Sequence, residues 1–202
     1  LKVLMSCNEA IARGAYEAGV RCAAAYPGTP STEILEEFCK YDGVYAEWSP
    51  NEKVAVEVAI GAALAGEKAM AVMKHVGVNV AADPIFTVSY TGTNGALVII
   101  SADDPSLHSS QNEQDNRHYA RFAKIPMLEP ADAQEAKEYI KLAFEISKKF
   151  DTPVFLRSTT RVSHSKSVVT LGNPIAHKDK TGFVYDVEKY VMVPHCARLR
   201  RV

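Results

Sequence analysis

Six short apolar runs, "RCAAAYP", "VYAEWS", "KAMAVMK", "GALVIISA", "IPMLEP" and "TPVFLRS", punctuate this sequence, with longer stretches of helical spacing between them. That alternation restricts the chain to β-α units around a mainly parallel sheet, because parallel strands need long crossovers and a helix usually supplies them. A three-layer α/β sandwich is the expected fold class. Helices are expected over residues 8–18, 30–41, 51–64, 80–90, 112–122 and 131–150. Asn8 and Asn51 are placed to cap helices, Pro30 suits a first helical turn after Thr29, and Gly66 fits just past a C-terminus. The last helix is amphipathic and reads as scaffold, with Ala136, Ile140, Phe144 and Ile146 inward and Lys137, Glu138, Lys141 and Lys148 outward.

From Ser163 the rhythm breaks into "SHSKSVVTLGNPIAHKDKTG", polar and turn-rich, followed by "FVYDVEKYVMVP", a short element that docks back or begins something further. Residues 1–162 are therefore read as one domain and 163–202 as a tail leading to domains outside this chain. With 23 Lys and Arg against 24 Asp and Glu, no net field draws the chain to nucleic acid or an anionic membrane, and the basic end "ARLRR" is read as solvated. No run is long and apolar enough for a membrane span and "LKVLMSCNEA" is no secretory signal, so a cytoplasmic setting is expected. Cysteines 7, 22, 39 and 196 lack metal-binding spacings; free thiols are expected, Cys22 and Cys39 buried, and no metal site is expected.

Three segments lie where parallel sheets place ligands, past the C-terminal ends of strands. "YPGTPSTE" (26–33) offers a tight turn at Gly28 and hydroxyls at Thr29 and Ser31, a corner for a carboxylate or phosphate or simply a strand-to-helix turn. "EWSPNEKVAVEVAIGAALAG" (47–66) opens with Glu47 and Glu52 and continues almost wholly in alanine, glycine and valine. Large side chains remove more apolar surface from water, so a face built of Ala55, Ala59, Gly61, Ala62, Ala63 and Ala65 implies close approach of a helix, a subunit or a flat ligand. Glu52 is then either a partner for the helix dipole or a functional acid. "KHVGVNVAADP" (74–84) and "ADDPSLHSSQNEQDNR" (102–117) bring His75, Asn79, His108 and Gln111 to a polar floor. No nucleophile elbow, P-loop or dinucleotide fingerprint is present.

"NEKVAVEVAIGAALAG" resembles the glutamate-bearing helix of the pyrimidine-binding domain in thiamine diphosphate enzymes. With "MSCNEAIARGAYEAGVRCAAAYPGTPSTEI", "MKHVGVNVAADP" and "VIISADDPSLHSSQNEQDNR" the chain resembles the 2-oxoacid:ferredoxin oxidoreductase superfamily, and within it the N-terminal part of the large subunits that act on indolepyruvate. The resemblance runs from about residue 3 to about residue 165. It implies a thiamine diphosphate-binding pyrimidine-domain fold, with Glu52 as the acid that hydrogen-bonds N1′ of the cofactor's aminopyrimidine. It implies cofactor contacts at Asn51, Gly28, His75 and Asn79, and substrate contacts at Thr29, His75, His108 and Gln111. It further implies oxidative decarboxylation of a 2-oxoacid to an acyl-CoA, a small subunit and the remaining large-subunit domains as partners, and ferredoxin as electron acceptor. Magnesium and 4Fe-4S clusters would be held by regions outside this chain, which lacks both the Gly-Asp-Gly…Asn anchor and the cysteine sets. The arginine that pyruvate-specific relatives use for the substrate carboxylate is missing from "SADDPS", which disfavours pyruvate. An exposed small-residue patch and self-association through it are expected; 2-oxoglutarate or branched-chain oxoacids, or a non-catalytic α/β module, are the rival readings.

Overall fold

The computed structural model describes residues 1–176 and 182–200. Its centre is a six-stranded parallel sheet of β2 (Cys22–Ala25), β3 (Tyr45–Trp48), β4 (Lys68–Lys74), β5 (Ala96–Asp103), β6 (Met127–Leu128) and β7 (Val154–Thr159), in the order β3-β2-β4-β5-β7-β6. All six expected runs are strands, though "IPMLEP" keeps only two residues.

Successive strand side chains point to opposite faces, so one sheet feeds two cores. Met70, Val72, Val98, Ile100, Val154 and Leu156 pack beneath α1 (Cys7–Glu17), α2 (Thr32–Phe38) and α7 (Ala133–Phe150). Ala69, Ala71, Met73, Leu97, Ile99 and Phe155 pack beneath α3 (Glu52–Leu64), α4 (His75–Val80), α5 (Ala82–Thr91) and α6 (Arg117–Ala123). The expected three layers are present.

Helix starts depart from expectation where a better local partner exists. Ser6, not Asn8, caps α1: its Oγ accepts from Glu9 N–H (3.2 Å) while the Glu9 carboxylate accepts from Ser6 N–H (2.7 Å). This is a capping box, and its Ser-x-x-Glu signature stands in the sequence. Asn8 is buried and its Nδ2 donates to Pro30 O (2.8 Å) and Glu33 Oε2 (3.0 Å), tying α1 to the corner before α2. Pro30 follows a cis peptide bond and precedes α2, which begins at Thr32. The helix expected at 80–90 begins earlier, as α4 and α5 broken at Ala81, and the one expected at 112–122 begins only at Arg117. Asn51 does cap α3, its Oδ1 accepting from Val54 N–H (3.0 Å).

Lys137 overturns the outward reading. Its position belongs to the inward stripe Ala133, Ala136, Lys137, Ile140, Ala143, Phe144, Ser147. Its ammonium lies 3.1 Å from Glu17 Oε2, and Glu17 is itself buried and bound by Arg13 Nε (2.9 Å) and Gly172 N–H (2.6 Å). Position outranked charge because α1 offers a buried partner.

The stretch read as a tail also contributes. α8 (Thr160–His164) spans the expected boundary, and β8 (Lys166–Thr170) pairs antiparallel with β1 (Lys2–Ser6), Lys2 opposite Thr170. Beyond it come α9 (Val187–Tyr190) and α10 (Pro194–Leu199), from which Lys189 and Arg200 reach Asp151 (2.9 Å each). Part of that stretch, 177–181, and Arg201 of the basic end lie outside the described residues. Cys39 is exposed whereas Cys7, Cys22 and Cys196 are buried; burial pushes the Cys22 thiol up to about 11. Among the described residues no helix is long and apolar enough to cross a membrane.

Candidate functional site

Parallel strands deliver their C-terminal ends to one edge of the sheet, and that edge collects most of the residues singled out above. β3 ends at Trp48 and three residues later Asn51 caps α3, so Glu52 is the first residue of the helix. β4 runs without interruption into α4, which makes Lys74 the last strand residue and His75 the first helical one.

Glu52 is 9% exposed, and among the described residues its carboxylate has no hydrogen-bond or ion-pair partner. A buried carboxylate without a partner leaves its acceptor oxygens free for a donor. Gly77 on α4 makes the room. A Cβ there would lie 2.5–2.8 Å from Cγ, Oε1 and Cδ of Glu52, closer than carbon and oxygen can pack. Gly77→Ala is therefore expected to push the carboxylate aside by about 1 Å or more, because Cγ, Cδ and Oε1 must all move. A crystal structure of the variant with the carboxylate unmoved would refute this.

The small-residue face of α3 has a different use from the one expected. Ala55, Ala59 and Ala63 are fully buried, and α3 packs on β2, β4 and β5, whose facing positions include Ala69, Ala71 and Leu97. Short side chains on both sides let helix and sheet approach closely; of the small positions, only Gly61 is exposed. The patch is largely consumed inside the domain.

Around Glu52 the polar floor is an interlocked network. His75 is fully buried, and its Nε2 donates to Asn112 O (3.1 Å), which leaves Nδ1 as an unpartnered acceptor. Gln114 Nε2 donates to His75 O (2.8 Å) and Asn79 Oδ1 (3.1 Å), Asn79 Nδ2 donates back to Gln114 Oε1 (2.9 Å), and Tyr119 OH donates to Asn79 Oδ1 (2.6 Å). Asn79 is thus a tie between α4 and the following loop. Of the two glutamines in "SSQNEQDN", Gln114 makes these ties; Gln111 and His108 are exposed. Thr29 is exposed as well, while Ser31 Oγ donates to Gly28 O (2.7 Å) and Thr32 Oγ1 accepts from Gly28 N–H (3.0 Å), closing the corner on itself.

Asp104, which the sequence reading passed over, organises the loop from 104 to 116. Its carboxylate accepts from the N–H groups of His108 (3.3 Å) and Ser109 (2.7 Å) and the hydroxyls of Ser109, Ser110 and Thr160. Burial alone would raise its pKa, but those hydrogen bonds outweigh burial and hold it well below the usual carboxylate range. A carboxyl whose pKa is lower folded than unfolded adds its full stabilisation above the unfolded value, about 3.9, and loses it as pH falls toward the folded value. Asp104→Asn at neutral pH is expected to mimic that loss, accelerating amide exchange at His108 and Ser109 by roughly tenfold or more. Unchanged exchange at both would show that the carboxylate does not hold the loop. At the base of the loop, Asp103 accepts from Ser101 Oγ (2.9 Å), Asn116 N–H (3.1 Å) and Arg157 Nε (2.7 Å).

The donor set suits an aminopyrimidine. A flat heterocycle with a basic ring nitrogen offers what the Glu52 carboxylate lacks, and the missing side chain at Gly77 keeps that acid free to turn toward it. Among the described residues no group of His, Cys, Asp and Glu is arranged to hold a metal ion.

Comparison with known proteins agrees. The family described as pyruvate flavodoxin/ferredoxin oxidoreductase, thiamine diphosphate-binding, matches residues 13–194. Indolepyruvate oxidoreductase subunit IorA of Archaeoglobus fulgidus is 60% identical over 179 residues, 85% of this chain and 29% of that subunit. The 2-oxoglutarate synthase subunit KorA of Methanocaldococcus jannaschii is 31% identical over 181 residues, 85% of this chain and 49% of that one. This chain therefore spans about a third of the length of the indolepyruvate relatives it matches. Among solved structures, the 2-oxoglutarate:ferredoxin oxidoreductase from Magnetococcus marinus, with 2-oxoglutarate, coenzyme A and succinyl-CoA bound, superposes with a TM-score of 0.74 at 18% identity, covering 86% of this chain and 33% of that one. The fold is that of the pyrimidine-binding domain of thiamine diphosphate enzymes.

Proposed function

The chain belongs to the pyruvate flavodoxin/ferredoxin oxidoreductase, thiamine diphosphate-binding family, and from that premise we propose that it holds the aminopyrimidine half of thiamine diphosphate in a cytoplasmic indolepyruvate:ferredoxin oxidoreductase. The reaction is oxidative decarboxylation of an arylpyruvate to its acyl-CoA with electrons passed to ferredoxin. The observation that carries the reading is the Glu52 carboxylate, buried and unpartnered against Gly77 at the head of α3. Identity of 60% to an indolepyruvate relative supports the choice of substrate.

When bound, thiamine diphosphate supplies the electron sink that makes loss of carbon dioxide from a 2-oxoacid feasible. This chain's residues position and protonate. Glu52 holds a hydrogen bond and a proton at pyrimidine N1′, in a site dry enough to keep that bond strong. Asn51 fixes where α3 begins and hence where Glu52 stands. Gly28 lets the backbone approach the ring, and His75 and Asn79, locked to Gln114, shape the wall beside it. Thr29, His108 and Gln111 form the exposed rim facing the substrate. Magnesium, the diphosphate and the 4Fe-4S clusters belong to other domains of the large subunit and to a small subunit, which close the site from above.

The test is anaerobic, coenzyme A-dependent reduction of a viologen dye by the full-length subunit with its partner, offered indolepyruvate, phenylpyruvate, pyruvate, 2-oxoglutarate and a branched-chain oxoacid. Arylpyruvates are expected to run fastest. A preference for 2-oxoglutarate or a branched-chain acid would reassign the substrate, and no turnover by cofactor-loaded enzyme would overturn the reading.

A further inference from the structure

Lys74 is 91% buried by its 9% exposure, yet it ends a strand at the edge of the site. Its Nζ donates to one neutral acceptor, Ser109 O (2.6 Å), and among the described residues no carboxylate lies within 4 Å. An ammonium with one neutral acceptor has two further donors to offer an incoming group. Glu52 stands at the same end of the sheet, equally buried and with no hydrogen-bond or ion-pair partner among the described residues, and it does not pair with Lys74. Two complementary charges kept apart are each suited to a different incoming group.

Both segments read as substrate-facing converge on this side chain. Its stem runs against Gly28, where a Cβ would lie 3.1 Å from Lys74 Cβ and 3.5 Å from Cδ, and its tip meets Ser109, next to His108. Across the sheet Lys74 registers with Ala102, beside the segment "SADDPS" that holds no arginine. In the following residue, His75 Nδ1 is a further buried atom without a partner.

We propose that Lys74 binds the carboxylate of the 2-oxoacid and so determines that the substrate is an acid. The ammonium receives the carboxylate between the Gly28 corner and the Ser109 loop. This assignment rests on the function proposed above.

The experiment uses the full-length enzyme with its small subunit, comparing wild type, Lys74→Met and Lys74→Arg. Lys74→Met is expected to raise KM for indolepyruvate by roughly 30- to 100-fold, the scale of a lost hydrogen bond to a charged group. Lys74→Arg should restore most of it. Indole-3-propionate, a competitive probe carrying the carboxylate, should lose affinity in Lys74→Met by a similar factor, whereas neutral indole-3-propanol should not. Thiamine diphosphate affinity, read by fluorescence quenching, should stay unchanged. A parallel loss of cofactor affinity would assign Lys74 to the diphosphate instead, and equal loss of both probes would reduce it to a structural role; either overturns the proposal. Should Lys74→Met not fold, a crystal structure of wild type with indole-3-propionate decides, with the carboxylate expected about 3 Å from Lys74 Nζ and a carboxylate seated elsewhere refuting it. If wild type itself oxidises no 2-oxoacid, the reading beneath fails; if it does and Lys74→Met keeps its KM, only the lysine assignment fails.

Discussion

Glu52→Gln in the full-length enzyme is expected to lower turnover by roughly a hundredfold or more, the scale of lost acid–base assistance. The amide has the same size and enters the same pocket beside Gly77, so shape is retained. What it loses is the ability to carry charge and exchange a proton with a ring nitrogen. The same substitution removes a carboxylate that is 9% exposed and has no partner among the described residues. The apo protein should therefore unfold at an unchanged or higher temperature. Activity lost without loss of stability is the signature of a group kept unsatisfied for a ligand. Dye reduction and thermal unfolding measured on the same preparation check both, and near wild-type turnover would remove Glu52 from its role.

The second large effect is expected far from the site. α1 and α7 pack so closely at Gly14 that a Cβ there would sit 2.4 Å from Ile140 Cγ2 and 2.5 Å from the Lys137 carbonyl. A backbone oxygen cannot rotate away, so Gly14→Ala must separate the helices. Overpacking of this kind costs about 2–3 kcal/mol and should lower the melting temperature by roughly 5–10 °C. Separation would also strain the buried contact of Lys137 with Glu17. Unchanged melting of the variant would show that α7 yields without cost.

The place of Glu52 at the head of α3 was legible because a capping asparagine precedes it, whereas the small side chains of that helix signalled close packing that the sheet itself supplies. The sheet was legible for a similar reason, since strands covered on both faces leave dense apolar runs. What could not be read depended on distant residues. β1 and β8 pair across more than 150 positions and neither run is fully apolar, with Val169 their one fully buried residue. The charge of Lys137 argues for an outward side chain, and nothing near it in sequence reveals Glu17 in α1. The loop after β5 looked helical around Asn112, yet Asp104, His75 and Lys74 hold its backbone in an irregular path. Gln114 and Gln111 have the same chemistry; only the position of α4 selects the first.

The pairing of β1 with β8 brings Leu1 O to Leu171 N–H (2.8 Å), so two distant positions of the chain lie one strand spacing apart. Mechanically the pair is a clasp. Tension on either strand is carried in shear by the hydrogen bonds of this two-stranded ladder, which is separate from the six-stranded sheet, before it reaches the strands that position Glu52.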